Sequence, residues 1–192
     1  PGQENIQIRG VAAILGRPTT GQYLNELSIG GDDANNTIHA SLLDMQRIEV
    51  LRGPQATLYG EGSMGGTIRY ITTPPDLTSY SASLEAEGGG VTDGGASYRG
   101  AMVANMPLVT DKVGLRLVAG HERDGGWIDN TFTGKSNVNG IDMTTVRAEL
   151  RAVPVEELEL SLLFLHQQND QDYGNFGTEH RSPSRVSSYS RD

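Results

Sequence analysis

The chain has 192 residues, 36% of them hydrophobic, with 25 glycines, no cysteine and a formal net charge of -9 at pH 7. That acidic balance excludes a nucleic-acid partner, because neutralising phosphates takes a concentrated basic surface. Without cysteine there are no disulfides or thiolate metal sites, and without a long apolar run there is no transmembrane helix.

In chain order, Thr37 to Met45 reads as a short helix, with Ile38, Leu42, Leu43 and Met45 on one side. Next, Ile48, Val50 and Leu51 alternate with Arg47, Glu49 and Arg52 as a half-buried strand. Gly53-Pro54 stops it. Proline is tolerated in a first helical turn, so Pro54 to Tyr59 predicts one turn of helix, closed by Gly60 as its C-terminal cap. Gly62, Gly65 and Gly66 permit positive φ and close backbone approach, and Thr67 to Thr72 alternates as a second strand that Pro74-Pro75 ends. Within this run, residues 60–65 match G-x-G-x-x-G, with Glu85 downstream. A dinucleotide fingerprint follows a strand and opens a helix, whereas this one follows a helical turn and opens a strand. No Gly-Lys-Ser/Thr follows the glycines, which also excludes a phosphate-binding P-loop.

After Asp76 the pattern becomes successive amphipathic strands. Tyr80 to Gly90 sets Ala82, Leu84, Ala86 and Gly88 against Ser83, Glu85 and Glu87. Tyr98 to Met106 follows a Thr92-Asp93-Gly94-Gly95 turn. Lys112 to Arg123 places Val113, Leu115, Leu117 and Ala119 on one face. In Met143 to Val153, Val146, Ala148, Leu150 and Ala152 alternate with Arg147, Glu149 and Arg151. The last segment, Leu158 to Asn169, follows a brief Pro154 to Glu157 turn, which would bring Arg151 and Glu159 together across a hairpin. Long loops at Asp124 to Ile141 and Asp170 to Asp192 alternate with short turns, as in outer-membrane barrels whose long loops are external. A soluble antiparallel sandwich would show the same strands. Catalytic patterns are missing: His39, His121, His166 and His180 are scattered, there is no H-E-x-x-H or G-x-S-x-G, and the acids Glu85, Glu87, Glu149 and Glu159 fit a hydrated lumen better than a glycosidase pair. Tyr80, Tyr98, Trp127 and Tyr173 are candidates for an interfacial aromatic girdle or loop anchors.

Residues 47–73, R-I-E-V-L-R-G-P-Q-A-T-L-Y-G-E-G-S-M-G-G-T-I-R-Y-I-T-T, resemble the plug-domain signature of TonB-dependent outer-membrane receptors. Upstream, Ile6-Gln7-Ile8-Arg9-Gly10-Val11 resembles the I-x-I-R-G strand of that plug, and Tyr23 to Ile29 resembles its Y-x-D-G-x-x-I strand. Asn25 and Glu26 replace the usual Asp-Gly, which predicts a different hairpin turn. The resemblance implies an α+β plug fragment followed by antiparallel transmembrane β-barrel strands, part of a large plugged barrel. Residues 1–74 would be the C-terminal part of the plug, 75–79 a linker, and 80–192 the first barrel strands and external loops. Five strands cannot close a barrel of about 22. A piece of a larger receptor is therefore expected, and a start at Pro1 without signal peptide or TonB box, with an end at Asp192 in a loop, fits that expectation.

The same resemblance implies no enzyme activity and no cofactor, but energy-coupled uptake of a scarce ligand, a ferric siderophore or other metal chelate being the commonest class. The implied partners are the TonB complex of the inner membrane, acting through the plug N-terminus, and outer-membrane lipid. Arg52, Gly53, Pro54, Tyr59, Gly60, Gly65 and Gly66 would keep the plug's geometry. Arg9 and Arg52 could also pair with acids elsewhere in plug or barrel. Arg17 to Gln22 and Gly30 to Asn36 would be apical loops, so Arg9, Arg17, Gln22, Asp32, Asp33 and, in the first long loop, Trp127 are the candidate ligand contacts. The alternative is a soluble or surface-attached β-rich carbohydrate-binding module, in which the plug-like segment is coincidental.

Overall fold

Alternating side chains favour extended backbone, and the computed structural model, which describes residues 6–11, 18–30, 41–55, 59–60, 62–90, 92–129 and 134–171, is built from strands. The chain divides into two units, Pro1–Pro74 and Pro75–Asp192.

In the first unit β1 (Thr20–Leu24), β2 (Leu27–Ser28), β3 (Met45–Arg52) and β4 (Gly66–Thr72) form a sheet in the order β2-β1-β4-β3. β1 runs parallel to β4, and β3 runs antiparallel to it. The β1–β2 hairpin turns at Asn25, whose φ of 52° lies in the left-handed region that asparagine tolerates. Its side chain reaches the end of β4: Oδ1 accepts the Thr72 N–H at 3.0 Å, while Nδ2 donates to Thr72 Oγ1 at 3.0 Å. The Asn that departs from the plug pattern thus ties the hairpin to the sheet.

The helix expected over residues 37–45 needs correction. Residues 37–40 lie outside the described residues, Leu43 and Asp44 form a turn, and Met45 is the first residue of β3. Asp44 takes a φ of 53°, and its carbonyl accepts both the Thr73 N–H at 3.2 Å and the Thr73 hydroxyl at 3.1 Å. Met45 is thereby set opposite Thr72, and the ladder outweighs the weak helical preference of the segment.

The second unit is a meander of β5 (Ser81–Gly90), β6 (Ala96–Val109), β7 (Val113–Asp124), β8 (Ile141–Val155) and β9 (Leu158–Gln171), each antiparallel to the next. All five expected strands are present, several longer than the alternation suggested because both neighbours extend the ladder. The registers stack side chains into rows. Leu84, Met102, Ala119 and Val146 lie side by side, as do Ala104, Leu117, Ala148 and Phe164, then Met106, Leu115, Leu150 and Leu162, then Val113, Ala152 and Leu160. One face is thus a continuous apolar band.

Burial across this sheet is inverted relative to a water-soluble protein. On the apolar face Leu84 is 80% exposed and Leu162 68%, whereas on the opposite face Arg147 is 3% exposed and Glu149 7%. Among the described residues this unit holds a single sheet, so no second sheet covers the apolar face as a sandwich requires. Exposed Tyr80 and Tyr98 belong to the apolar side and flank the band at opposite ends, where girdle residues sit. Tyr173 lies outside the described residues. The turns at 110–112 and 156–157 are short, while the described residues 125–129 and 134–140 lie in the longer connection at the other end.

Candidate functional site

The glycine-rich hinge of the first unit is held by backbone hydrogen bonds. Gly53 N–H donates to Gly65 O at 3.1 Å, Gln55 N–H to Ser63 O at 2.9 Å, and Gly65 N–H to Thr19 O at 2.8 Å. Tyr59 N–H donates to Gln55 O at 2.9 Å, an i to i−4 bond. Residues 56–58 lie outside the described residues. Gly60 takes a left-handed φ of 66°, which glycine adopts without steric cost. Gly66 meets a harder limit: a Cβ there would lie 2.4 Å from Leu51 O. Gly65 departs from expectation, since it is not among the positive-φ glycines; space is what it requires, with Val11 Cβ 3.2 Å from where its own would be. Arg52 ends β3 opposite Gly66, with its side chain exposed.

One face of the plug-like sheet carries an ion-pair network centred on Arg69. Its Nη1 lies 2.8 Å from Glu49 Oε2 and its Nη2 2.5 Å from Glu26 Oε1, while Arg47 Nε is 2.7 Å from Glu49 Oε1. The Arg69 guanidinium also sits 5.8 Å from the centre of the Tyr59 ring. Tyr23 packs its ring edge-on against Tyr59 at 5.1 Å and donates its hydroxyl to the Tyr59 carbonyl. The Arg47 hydrogen bond, reinforced by the charges of Arg47 and Arg69, holds the Glu49 carboxyl below its ordinary range. Tyr59 is therefore fixed from two sides. The sequence reading named Tyr59 but missed Arg69 and Tyr23; the register that sets Glu49 opposite Arg69 is what would have found the pair.

The candidate ligand contacts do not gather at one described place. Arg9 is exposed, at φ 52°, in the turn between Ile8 and Val11. Gln22 lies within β1 rather than in a loop and is 4% exposed, because the loop expected over 17–22 gives way to strand at Thr20. Arg17, Asp32 and Asp33 lie outside the described residues. Trp127 is exposed at the root of the long loop, where Asn139 Oδ1 accepts the Trp127 N–H at 2.7 Å and the Ile128 N–H at 2.9 Å. A cleft of about 840 Å³ opens at that end of the strands, its wall including Tyr98, Arg123, Gly126, Asn137 and Asp142. Among the described residues no cluster of three or more His or acidic side chains is placed to hold a metal ion directly.

The charged face of the second unit is internally paired. Arg151 binds Glu159 through two bonds, Nε to Oε1 at 2.9 Å and Nη2 to Oε2 at 3.1 Å, the hairpin neighbours expected from the sequence. Arg99 Nε lies 3.4 Å from Glu122 Oε2. Charges facing one way and an apolar band facing the other form a wall suited to lipid on one side and water on the other.

Comparison with known proteins agrees with this architecture. Residues 1–67 match the TonB-dependent receptor plug domain. The chain is 31% identical over 128 residues to the pesticin receptor of Yersinia pestis, a match covering 65% of the chain and 18% of that receptor. It is 36% identical over 64 residues to the metal-pseudopaline receptor CntO of Pseudomonas aeruginosa, covering 33% of the chain and 8% of that protein. The chain thus spans less than a fifth of the length of these curated relatives. Among solved structures, the ferric yersiniabactin uptake receptor FyuA of Yersinia pestis superposes with a TM-score of 0.71 at 26% identity, over 88% of the chain and 26% of the receptor. The siderophore receptor PirA of Acinetobacter baumannii shares the fold, with a TM-score of 0.70 at 19% identity over 88% of the chain and 26% of that structure. The plug hinge, the inverted wall and these likenesses agree in supporting a fragment of a TonB-dependent outer-membrane receptor, with residues 1–67 matching the plug domain of that family.

Proposed function

We propose that the chain is the plug segment and first wall strands of a receptor that imports a metal chelate, in particular a ferric siderophore, across the outer membrane with energy from the TonB complex. The observation that carries the reading is the hinge-bearing plug sheet followed directly by a sheet whose apolar face exposes Leu84 and Leu162 while Arg147 and Glu149 on the opposite face are buried. The ligand class is supported by relatives named for metal-pseudopaline and ferric yersiniabactin. In this reading residues 1–74 are plug, 75–79 join it to the wall, and 80–192 supply strands and external loops.

No bond is made or broken in such a receptor; it works by binding and then releasing. A ligand leaves only if the plug passes to a state that binds it less well, so external work must change affinity. The ion pairs around Arg69 and the hinge bonds from Gly53 to Gly65 keep the resting plug in one arrangement. Ligand contact is assigned to Arg9, Arg17, Asp32, Asp33 and Trp127, while Gln22, buried in β1, fits a supporting role.

The test uses the full-length receptor. Purified protein is presented with ferric siderophores, cobalamin and oligosaccharides, and uptake is measured in cells with and without TonB. Binding of a ferric chelate, with uptake lost but binding kept when TonB is absent, is the expected result. Exclusive binding of an oligosaccharide would overturn the ligand class, and uptake without TonB would overturn the coupling.

A further inference from the structure

A tether that merely spans a gap needs no fixed partners, yet residues 75–79 have several. Asn105 on β6 is 1% exposed and devotes its whole amide to them. Its Oδ1 accepts the Asp76 N–H at 2.9 Å, and its Nδ2 donates to the carbonyls of Asp76 at 3.0 Å and Ser79 at 2.7 Å. The Leu77 carbonyl accepts the Asp111 N–H at 3.0 Å from the β6–β7 turn. The Asp76 carboxylate closes the segment on itself, accepting the Thr78 N–H at 2.8 Å, the Thr78 hydroxyl at 2.7 Å and the Ser79 hydroxyl at 2.5 Å.

Shape agrees with the hydrogen bonding. Pro75 is buried, and the segment lies over Gly114 of β7. A Cβ at Gly114 would come 3.0 Å from Leu77 Cδ2, 3.1 Å from Asp76 O and 3.2 Å from Pro75 Cβ. A buried asparagine whose acceptor and both donor hydrogens serve one short segment is costly to leave unpaired, so the segment and the strand hold each other.

We infer that this hook is a permanent anchor: residues 75–79 stay clasped to β6 and β7 throughout transport, and displacement of the plug ends at Pro75. The bonds to Asn105 and Asp111 attach the hook at separate points, so load on the tether is shared between them. The anchor itself rests on the contacts above; only its role during plug movement rests on the import reading.

Two measurements on the full-length receptor test it. Hydrogen exchange of residues 76–79 should be slow in the unmodified receptor, with or without TonB engaged, and faster on the order of tenfold or more in Asn105→Ala. A Leu77→Cys and Asp111→Cys pair, placed on residues already joined by a backbone hydrogen bond in a chain segment without cysteines of its own, should leave uptake intact when oxidised. Fast exchange at 76–79 in the unmodified receptor would overturn the anchor. So would uptake that is lost on oxidation and restored by reductant while ligand binding persists. Absence of uptake by the unmodified receptor would instead count against import, leaving exchange to decide the anchor.

Discussion

Gly60 and Gly66 respond to a side chain for different physical reasons, and their order of sensitivity tests the hinge. At Gly60 a Cβ would meet nothing within 4 Å, so Gly60→Ala is charged only for its left-handed φ, about 1–2 kcal/mol. Gly66→Ala drives a Cβ to 2.4 Å from the Leu51 carbonyl and is expected to cost about 3 kcal/mol or more, because the strand pair must separate. Gly65→Ala should fall between, since it carries no left-handed φ and its Cβ would need Val11 Cβ, 3.2 Å away, to give by only a few tenths of an ångström. Protease resistance of the plug in the full-length receptor reads the series, and a Gly66→Ala variant as resistant as wild type would contradict the hinge. Asp76 gives a pH prediction. Its carboxyl is held well below the ordinary value of 3.8, first by the Ser79 hydroxyl and then by Thr78. A depressed folded-state pKa means that the stabilisation is complete above the ordinary value and fades as pH falls below it toward the folded one. Asp76→Asn should therefore loosen residues 76–79 at neutral pH, and the difference from wild type should shrink below about pH 4. Exchange rates, corrected for their intrinsic pH dependence, measure it; a constant difference would remove the carboxylate from the hook.

Each wall strand tells its two faces apart. Leu162 is already largely exposed in β9, so placing arginine there would cost little in water. Next to lipid the same change should cost about 2–4 kcal/mol near the midplane. Ser161→Arg, one residue away on the charged face, should cost far less, because that side chain meets water. Unfolding of the full-length receptor from lipid vesicles compares the two, and equal costs would leave the assignment of faces without support. The Arg151–Glu159 pair belongs to the β8–β9 hairpin and is partly exposed, so its contribution is below about 1 kcal/mol despite the bidentate geometry.

The second unit, taken whole, is a wall and not a core. Its four apolar rows, spaced about 6.6 Å along strands tilted about 40°, span roughly 15 Å along the membrane normal, which fits within the apolar band of about 25 Å of outer-membrane barrels. β5 and β9 form the two edges of the sheet, and every residue of β5 is exposed. Residues 1–192 expressed in water should therefore associate through those edges and the apolar face, and detergent should reduce the association. Sedimentation in both conditions decides it, and a monomer in water would mean that the apolar face does not require lipid.

Local chemistry was enough to locate the strands, because backbone periodicity is a property of neighbouring residues: Arg147, Glu149 and Arg151 against Val146, Ala148 and Leu150 mark β8 without reference to any partner. The left-handed φ of Gly60 and the Arg151–Glu159 pair were legible for the same reason. Only the tertiary structure drew Met45 out of the expected helix, since Thr72 of β4 pairs with it and Thr73 holds the Asp44 carbonyl just before it. It alone joined Arg69 to Glu26, 43 residues away, and Asn105 to Asp76, 29 residues away. Pairings across such separations depend on register and topology, which no short stretch of chain encodes by itself.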